Sequence, residues 1–387
     1  MKEIEDIVQS FHAAQQTQIK TALATVVMVQ GSSYRRPGAR MLVTEDGQIT
    51  GTISGGCLET DAIRKALLAI SQQQNKLVAY NSMDDEDFTE GVQLGCNGIV
   101  YILFEPIDAA QQNNPITLLQ KAIQHQKDCV LVTLFNQANL SAKQQGTTLL
   151  FTTQEMIGSL ENSQLQTVIN EGVNTVLQRR RSSINVYPVA DSESVNAFIE
   201  LLKPQVELFI CGAGNDALPL ELMAHIIGWH TTIADGRKTY ANSKRFAKAG
   251  KIIVGKPAEV VPQISIHEQS IFVLMSHNYQ YDIEMLRLLI KSSCSYIGIL
   301  GPKKKTEKML EELVNDGMEL TAAEREKIHG PAGLDIGAET PQEIALSITS
   351  EIKAVLSKKA GNSLRNKNGF IHDHSPKDEQ STETTFS

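Results

Sequence analysis

The sequence predicts an α/β protein, with an N-terminal mixed α+β domain followed by a Rossmann-type domain built on a parallel sheet. Three observations lead there. From Val206 onward apolar strand patterns alternate with helical ones, as a parallel sheet with crossover helices requires. The first of these strands runs into Gly212-Ala213-Gly214-Asn215-Asp216-Ala217, a G-x-G-x-x-A loop that opens directly into a helical pattern. A chain of 387 residues also suffices for two domains with separate cores. The expected boundaries are 1–195 for the first domain and 196–357 for the second. Residues 358–387 form a polar tail whose Asn, Ser and Thr content predicts disorder.

In the first domain Ile4, Val8 and Phe11 have helical spacing, and Ala22 to Val29 is an apolar strand. Met41 to Thr44 and Ile49 to Gly51 read as a hairpin around Glu45-Asp46-Gly47-Gln48. After Gly55-Gly56 a helix is expected from Leu58 to Ile70, then strands near Leu77–Tyr80 and Gly98–Glu105. Residues 107–195 continue this domain, with strands at Cys129–Phe135 and Thr147–Phe151, and Asp191–Lys203 reads as the connection onward. In the second domain the strands are Val206–Cys211, Thr231–Ala234, Lys251–Val254, Ile271–Ser276 and Tyr296–Leu300. A last helix opens with Thr340 as N-cap, Pro341 at its first position and Glu343 closing a capping box.

Bulk properties exclude several classes. Net charge is −8, which argues against nucleic acid as the main partner, since phosphate binding needs clustered Lys and Arg. No apolar run reaches membrane-spanning length, and the acidic start does not resemble a secretory signal. Five widely spaced cysteines without a Cys-x-x-Cys pair fit a reducing cytoplasm and write no local zinc or iron–sulfur site.

The chemistry gathers at a few places. Gly212 permits a tight turn, Gly214 lets a pyrophosphate approach the backbone, and the following helix favours negative charge there. Asn215 lies in this loop. Asp235, at the end of the next strand, is placed to bond a ribose 2′-hydroxyl; Arg237 is placed instead for a 2′-phosphate. His277 and the Gly298 to Gly301 segment end later strands, on the ligand side of such a sheet. His277 is suited to proton transfer or metal ligation, and equally to bonding backbone at a strand end. Lys303 to Lys305 suit either a phosphate or plain solvation. In the first domain Arg35, Arg36 and Arg40 flank Pro37-Gly38 as a cationic rim or an ordinary turn. Cys57 and Cys96 sit beside glycines, and Cys57 lies where a helix begins, a position that lowers a thiol pKa. A buried inert thiol is the competing reading for each.

Taken in order, Gly31-Ser32-Ser33-Tyr34-Arg35-Arg36-Pro37-Gly38-Ala39-Arg40, Ser54-Gly55-Gly56-Cys57-Leu58-Glu59 and Leu94-Gly95-Cys96-Asn97-Gly98 resemble the XdhC/CoxI family. Gly212-Ala213-Gly214, Asp235-Gly236-Arg237, Ser276-His277, Gly298-Ile299-Leu300-Gly301 and Gly333-Leu334-Asp335-Ile336-Gly337-Ala338 continue the likeness, which covers roughly residues 15–355. Asn97 stands where the family commonly has glycine. The resemblance implies an accessory factor, not itself an oxidase of xanthine. It would bind the molybdenum cofactor, a molybdopterin, while a cysteine desulfurase-type sulfurase installs the sulfido ligand. It would then pass the cofactor to a molybdenum hydroxylase apoenzyme such as xanthine dehydrogenase. A homodimer is implied as well. On this likeness Arg36, Arg40, Ser54, Gly55, Gly56, Cys57, Glu59 and Cys96 join the Rossmann residues as cofactor contacts, with the two thiols facing a soft molybdenum–sulfur centre.

Two other readings compete. An NAD(P)-dependent oxidoreductase would use Gly212, Gly214 and Asp235, with His277 and Asp282 as its acid–base pair. A xanthine dehydrogenase proper would need closely spaced iron–sulfur cysteines, which this sequence lacks.

Overall fold

The computed structural model describes residues 1–31, 33–56, 58–81, 98–189 and 194–367. It divides into two compact units, the first ending at Pro204 and the second beginning at Gln205.

Unit 1 runs α1 (Lys2–Gln16), β1 (Thr21–Gly31), β2 (Arg40–Thr44), β3 (Ile49–Gly51), α2 (Glu59–Gln72), β4 (Lys76–Asn81) and β5 (Gly98–Pro106). It continues through α3 (Pro115–Gln124), β6 (Cys129–Phe135), β7 (Gly146–Phe151), β8 (Met156–Ile157), α4 (Ser163–Arg179), β9 (Ser183–Pro188) and β10 (Ser194–Leu202). The strands form two antiparallel sheets, ordered β3-β2-β1-β5-β4 and β8-β7-β6-β10-β9. Strand alternation sorts the core. Ala22, Ala24 and Val26 of β1 face α2, whose Ala62, Ala66 and Ala69 let it lie close to the sheet. Leu23 points the other way, into a cluster with α1, α3 and Leu131. Val27 and Leu103 of one sheet meet Phe135 and Phe198 of the other.

Polar bonds also tie the two sheets. Glu105 of β5 accepts from the Thr147 amide at 2.7 Å and its hydroxyl at 2.9 Å. Burial pushes its carboxyl up to about 7 against those bonds. Arg40 of β2, only 2% exposed, pairs with Glu200 of β10 through both guanidinium Nη atoms. Arg40 is therefore no cationic rim. Its place inside a strand turns it toward a buried acid, which corrects the expectation drawn from the loop.

The division after Pro204 falls later than the expected 195/196. Residues 194–202 are a strand and not a connection, because Val195, Ala197 and Ile199 join a buried cluster under α4. Asn196 and Glu200, polar residues within this strand, are both buried and bonded.

Unit 2 runs β11 (Glu207–Cys211), α5 (Ala217–Ile226), β12 (His230–Asp235), β13 (Lys251–Val254), α6 (Pro257–Val260), β14 (Ser270–Leu274) and α7 (Tyr279–Leu289). It ends with β15 (Tyr296–Ile299), α8 (Lys303–Asn315), α9 (Ala322–Glu326), β16 (Ile328–His329) and α10 (Pro341–Leu356). All pairs are parallel, in the order β13-β12-β11-β14-β15-β16, a Rossmann sheet. Leu208, Ile210, Ile271 and Val273 pack beneath α5 and α10 on one face. Phe209, Phe272 and Leu274 pack beneath α7 and α8 on the other. The capping box at Thr340 and Glu343 is present. No helix among the described residues is long and apolar enough to cross a membrane. Of the expected tail, residues 368–387 lie outside the described residues.

Glu200→Ala leaves Arg40 as a buried charge without its acid. Unit 1 is expected to lose about 3–5 kcal/mol in urea unfolding; a loss below about 1 kcal/mol would show the pair to be incidental.

Candidate functional site

The sheet of unit 2 reverses its strand order between β11 and β14, and there Gly212 meets the chain leaving β14. At φ +132° its Cα lies so close that an added Cβ would fall 2.4 Å from the Met275 carbonyl. No larger residue fits. A cleft of about 470 Å³ opens beside this point, lined by Asp235 to Arg237, Ser276 to Tyr279, and Tyr281. Ligands of doubly wound sheets gather at this switch point, outside the carboxyl ends of the strands.

Asp235 lines the cleft, Asp216 and Asp282 bond residues that line it, and each of the three acids is matched to a base. Asp216, at the start of α5, bonds His277 Nε2 at 2.7 Å. His277 holds a left-handed backbone, φ +59°, and its side chain is 62% exposed in the cleft. Asp282, fully buried, accepts from the Ser276 hydroxyl at 2.6 Å and from Lys305 Nζ at 2.7 Å. Lys305 also donates to the Leu300 carbonyl and packs over Gly301, whose φ is +129°. The pairing of His277 with Asp282 expected for an oxidoreductase is thus not formed; each has a different partner. Lys305 leaves the solvated run, while Lys303 stays exposed.

Asp235 is the third acid. Its Oδ2 accepts the Ala213 amide at 2.7 Å and Arg237 Nη2 at 2.7 Å; its Oδ1 accepts the Arg237 amide and Nε. Burial alone would raise this carboxyl, but the bonds from Arg237 and Ala213 outweigh it and hold it below its usual range. The carboxylate expected to be available to a ribose is therefore saturated by Arg237 and the glycine loop. Arg245, which sequence reading missed, straps the same loop by donating to the Ala213 carbonyl at 2.7 Å and Asn215 Oδ1 at 2.8 Å. Only its basic surroundings could have marked it. Gly298 does not reach the cleft. It lies within β15, where a Cβ would meet the Tyr296 ring at 2.8 Å and Ala332 at 3.1 Å, so close packing explains this glycine.

The motif of unit 1 is built around Glu59, at the first turn of α2. Its carboxylate accepts from the Thr52 hydroxyl at 2.7 Å, the Ser54 amide at 3.0 Å and the Ser54 hydroxyl. Burial would raise the Glu59 carboxyl, but these donors hold it below its usual range. The Ser54 oxygen in turn accepts the Gly56 amide at 3.2 Å and the Leu58 amide at 3.1 Å. Ser54 and Glu59 thereby position the loop and leave Gly55 and Gly56 exposed. Gly56 adopts φ +109° with open space around it, and Gly55 lies against the ring of Tyr34, itself 67% exposed. Of the three expected arginines only Arg36 is exposed, since Arg35 pairs with Glu3. Cys57 and Cys96 lie outside the described residues. Cys129, Cys211 and Cys294 are buried, and burial pushes the Cys129 thiol up to about 12, which makes it inert. Among the described residues no group of three His, Cys, Asp or Glu could hold a metal ion.

The family model for the XdhC Rossmann domain matches residues 208–352, and that for the XdhC and CoxI family matches residues 14–81. A probable xanthine dehydrogenase subunit of Bacillus subtilis (strain 168) is 30% identical over 87% of this chain and 93% of its own length. The chain belongs to the XdhC and CoxI family. A crystal structure described as a xanthine dehydrogenase from Bacillus halodurans shares the fold of this XdhC/CoxI chain, with TM-score 0.73 and 28% identity over 94% of this chain and 98% of that one. The molybdenum cofactor insertion chaperone PaoD of Escherichia coli (strain K12) is 21% identical over 86% of this chain and 82% of its own length.

Gly212→Ala forces both a left-handed alanine and a backbone clash. The expected cost is about 2 kcal/mol or more, read from the denaturation midpoint of the purified protein. An unchanged midpoint would contradict the close approach.

Proposed function

We propose that this chain is an accessory protein that binds the molybdenum cofactor and assists its sulfuration and insertion into a molybdenum hydroxylase of the xanthine dehydrogenase type. The observation that carries this reading is the loop fixed by Ser54 and Glu59 in unit 1. Gly55 and Gly56 let a bulky heterocycle approach the backbone, and the exposed Tyr34 ring offers it an apolar face. Arg36 offers a cation to the cofactor phosphate. Cys57, next in the chain, and Cys96 are the thiols of this reading. The bound group would supply a molybdenum–sulfur centre, a soft metal that accepts thiolate ligation.

The residues of the chain itself hold and shield. Glu59 fixes Ser54, Ser54 fixes the amides of Gly56 and Leu58, and the start of α2 favours negative charge at the loop. The names of two relatives, a cofactor insertion chaperone and a probable xanthine dehydrogenase subunit, support the same role. In this reading the partners are a hydroxylase apoenzyme, a cysteine desulfurase-type sulfurase and a second copy of the chain, all in the cytoplasm. The cleft of unit 2 takes a nucleotide-bearing ligand, either the dinucleotide form of the cofactor or NAD(P).

Native mass spectrometry tests this directly. Full-length protein incubated anaerobically with molybdenum cofactor is expected to retain it, and Cys57→Ala to retain at least about tenfold less at equal folded concentration. Glu59→Gln, which loosens the loop, is expected to lower retention by a factor of about 3–10, the value of one strong hydrogen bond. Absence of retention by the wild type, or equal retention by Cys57→Ala, would sink the proposal.

A further inference from the structure

Between β12 and β13 the chain reads Gly236-Arg237-Lys238-Thr239-Tyr240-Ala241-Asn242-Ser243-Lys244-Arg245, with four cations and no acid. In a protein of net charge −8 this is a concentrated basic patch. The segment is rigidly built. Ala241 and Phe246 are buried, Asn242 Oδ1 accepts the amides of Lys244 and Arg245, and the Tyr240 and Ala241 amides bond the Arg237 carbonyl. The guanidinium of Arg237 lies 4.3 Å from the centre of the Tyr240 ring, and that of Arg245 lies 5.2 Å from it. The Arg237 side chain remains 46% exposed at the mouth of the cleft.

The position of this patch gives it meaning. It follows the second strand of the Rossmann order, where the adenosine ribose of a bound dinucleotide lies. A ribose carrying free 2′ and 3′ hydroxyls is held there by a carboxylate with acceptor capacity to spare. Asp235 has none, because three N–H groups of Arg237 and the Ala213 amide of the glycine loop fill its two oxygens. A ribose carrying a 2′-phosphate needs the opposite: fixed donors and positive charge. Arg237, with Lys238 exposed beside it, meets that need.

We infer that the cleft of unit 2 selects a 2′-phosphorylated nucleotide, with the phosphate seated against Arg237 in the cluster that Arg237, Tyr240 and Arg245 form. This rests on the reading of unit 2 as a nucleotide site and is independent of the cofactor loop in unit 1. In this arrangement Asp235 is a positioning residue. It aims the Arg237 fork and pins the glycine loop, while the arginine discriminates.

Isothermal titration of the full-length protein with NADP+, NAD+, adenosine 2′-phosphate and adenosine 5′-phosphate tests the inference. NADP+ is expected to bind at least about tenfold tighter than NAD+, and the 2′-phosphate tighter than the 5′-phosphate by a similar factor. Arg237→Gln is expected to bring the NADP+/NAD+ ratio close to 1. Lys238→Ala, at an exposed position that does not support the fold, is expected to reduce it about threefold. Equal or inverted wild-type affinities, or no binding of any of the four, overturn the inference whether or not the arginine variant folds. Retention of molybdenum cofactor by the same preparation separates this failure from failure of the accessory role.

Discussion

The carboxylate of Asp235 is the constraint on which the ligand end of unit 2 depends. It ends β12, yet its bonds reach back to Ala213 in the loop after β11 and forward to Arg237. One buried acid thus fixes the glycine turn, the fork of an arginine and the floor of the cleft. The amide it accepts from Ala213 lies in the same loop that would face a pyrophosphate. The loop is therefore held in shape by a fixed internal anion. The same ordering extends outward: Arg245 ties the Ala213 carbonyl to Asn215, and Tyr240 lies within reach of both guanidinium groups.

Unit 1 uses the same device in a different fold. Glu59 collects donors from Thr52 and Ser54, and the Ser54 oxygen passes the constraint to the amides of Gly56 and Leu58. A loop that must expose glycines to a ligand cannot hold itself by side-chain packing. Hydrogen bonds to a partly buried carboxylate do that work instead, and they persist where a surface ion pair would be screened. Deeper in the unit Arg40 with Glu200, and Glu105 with Thr147, join the two sheets in the same manner.

What was legible in the sequence follows from the range of the forces involved. The strand, glycine loop and helix at Val206–Ile226 are local, as are the hairpin at Met41–Gly51 and the capping box at Thr340; each was read from neighbouring residues. The family itself was legible because its motifs keep their order along the chain. Arg40 was misread because its partner Glu200 is 160 positions away. β10 was misread for the same reason, since Asn196 and Glu200 look like linker residues until Gln137 and Arg40 are brought to them. Asp235 lines the cleft at the end of its strand, but its saturation depends on Arg237 turning inward, which periodicity does not encode. Lys305 looked like one of three solvated lysines and became the counter-ion of a buried acid.

Asp235 is ionised and fully bonded in the folded protein. Its carboxyl is held below the ordinary aspartate range, so the stability it contributes is present above the unfolded-state pKa and is lost as pH falls through the folded-state value. Urea unfolding of the wild type and Asp235→Asn, measured from about pH 7 down into the carboxylate range, reads this directly. The wild type is expected to be the more stable at neutral pH and to lose that advantage on acidification, with a flatter profile for the variant. Parallel profiles would contradict it.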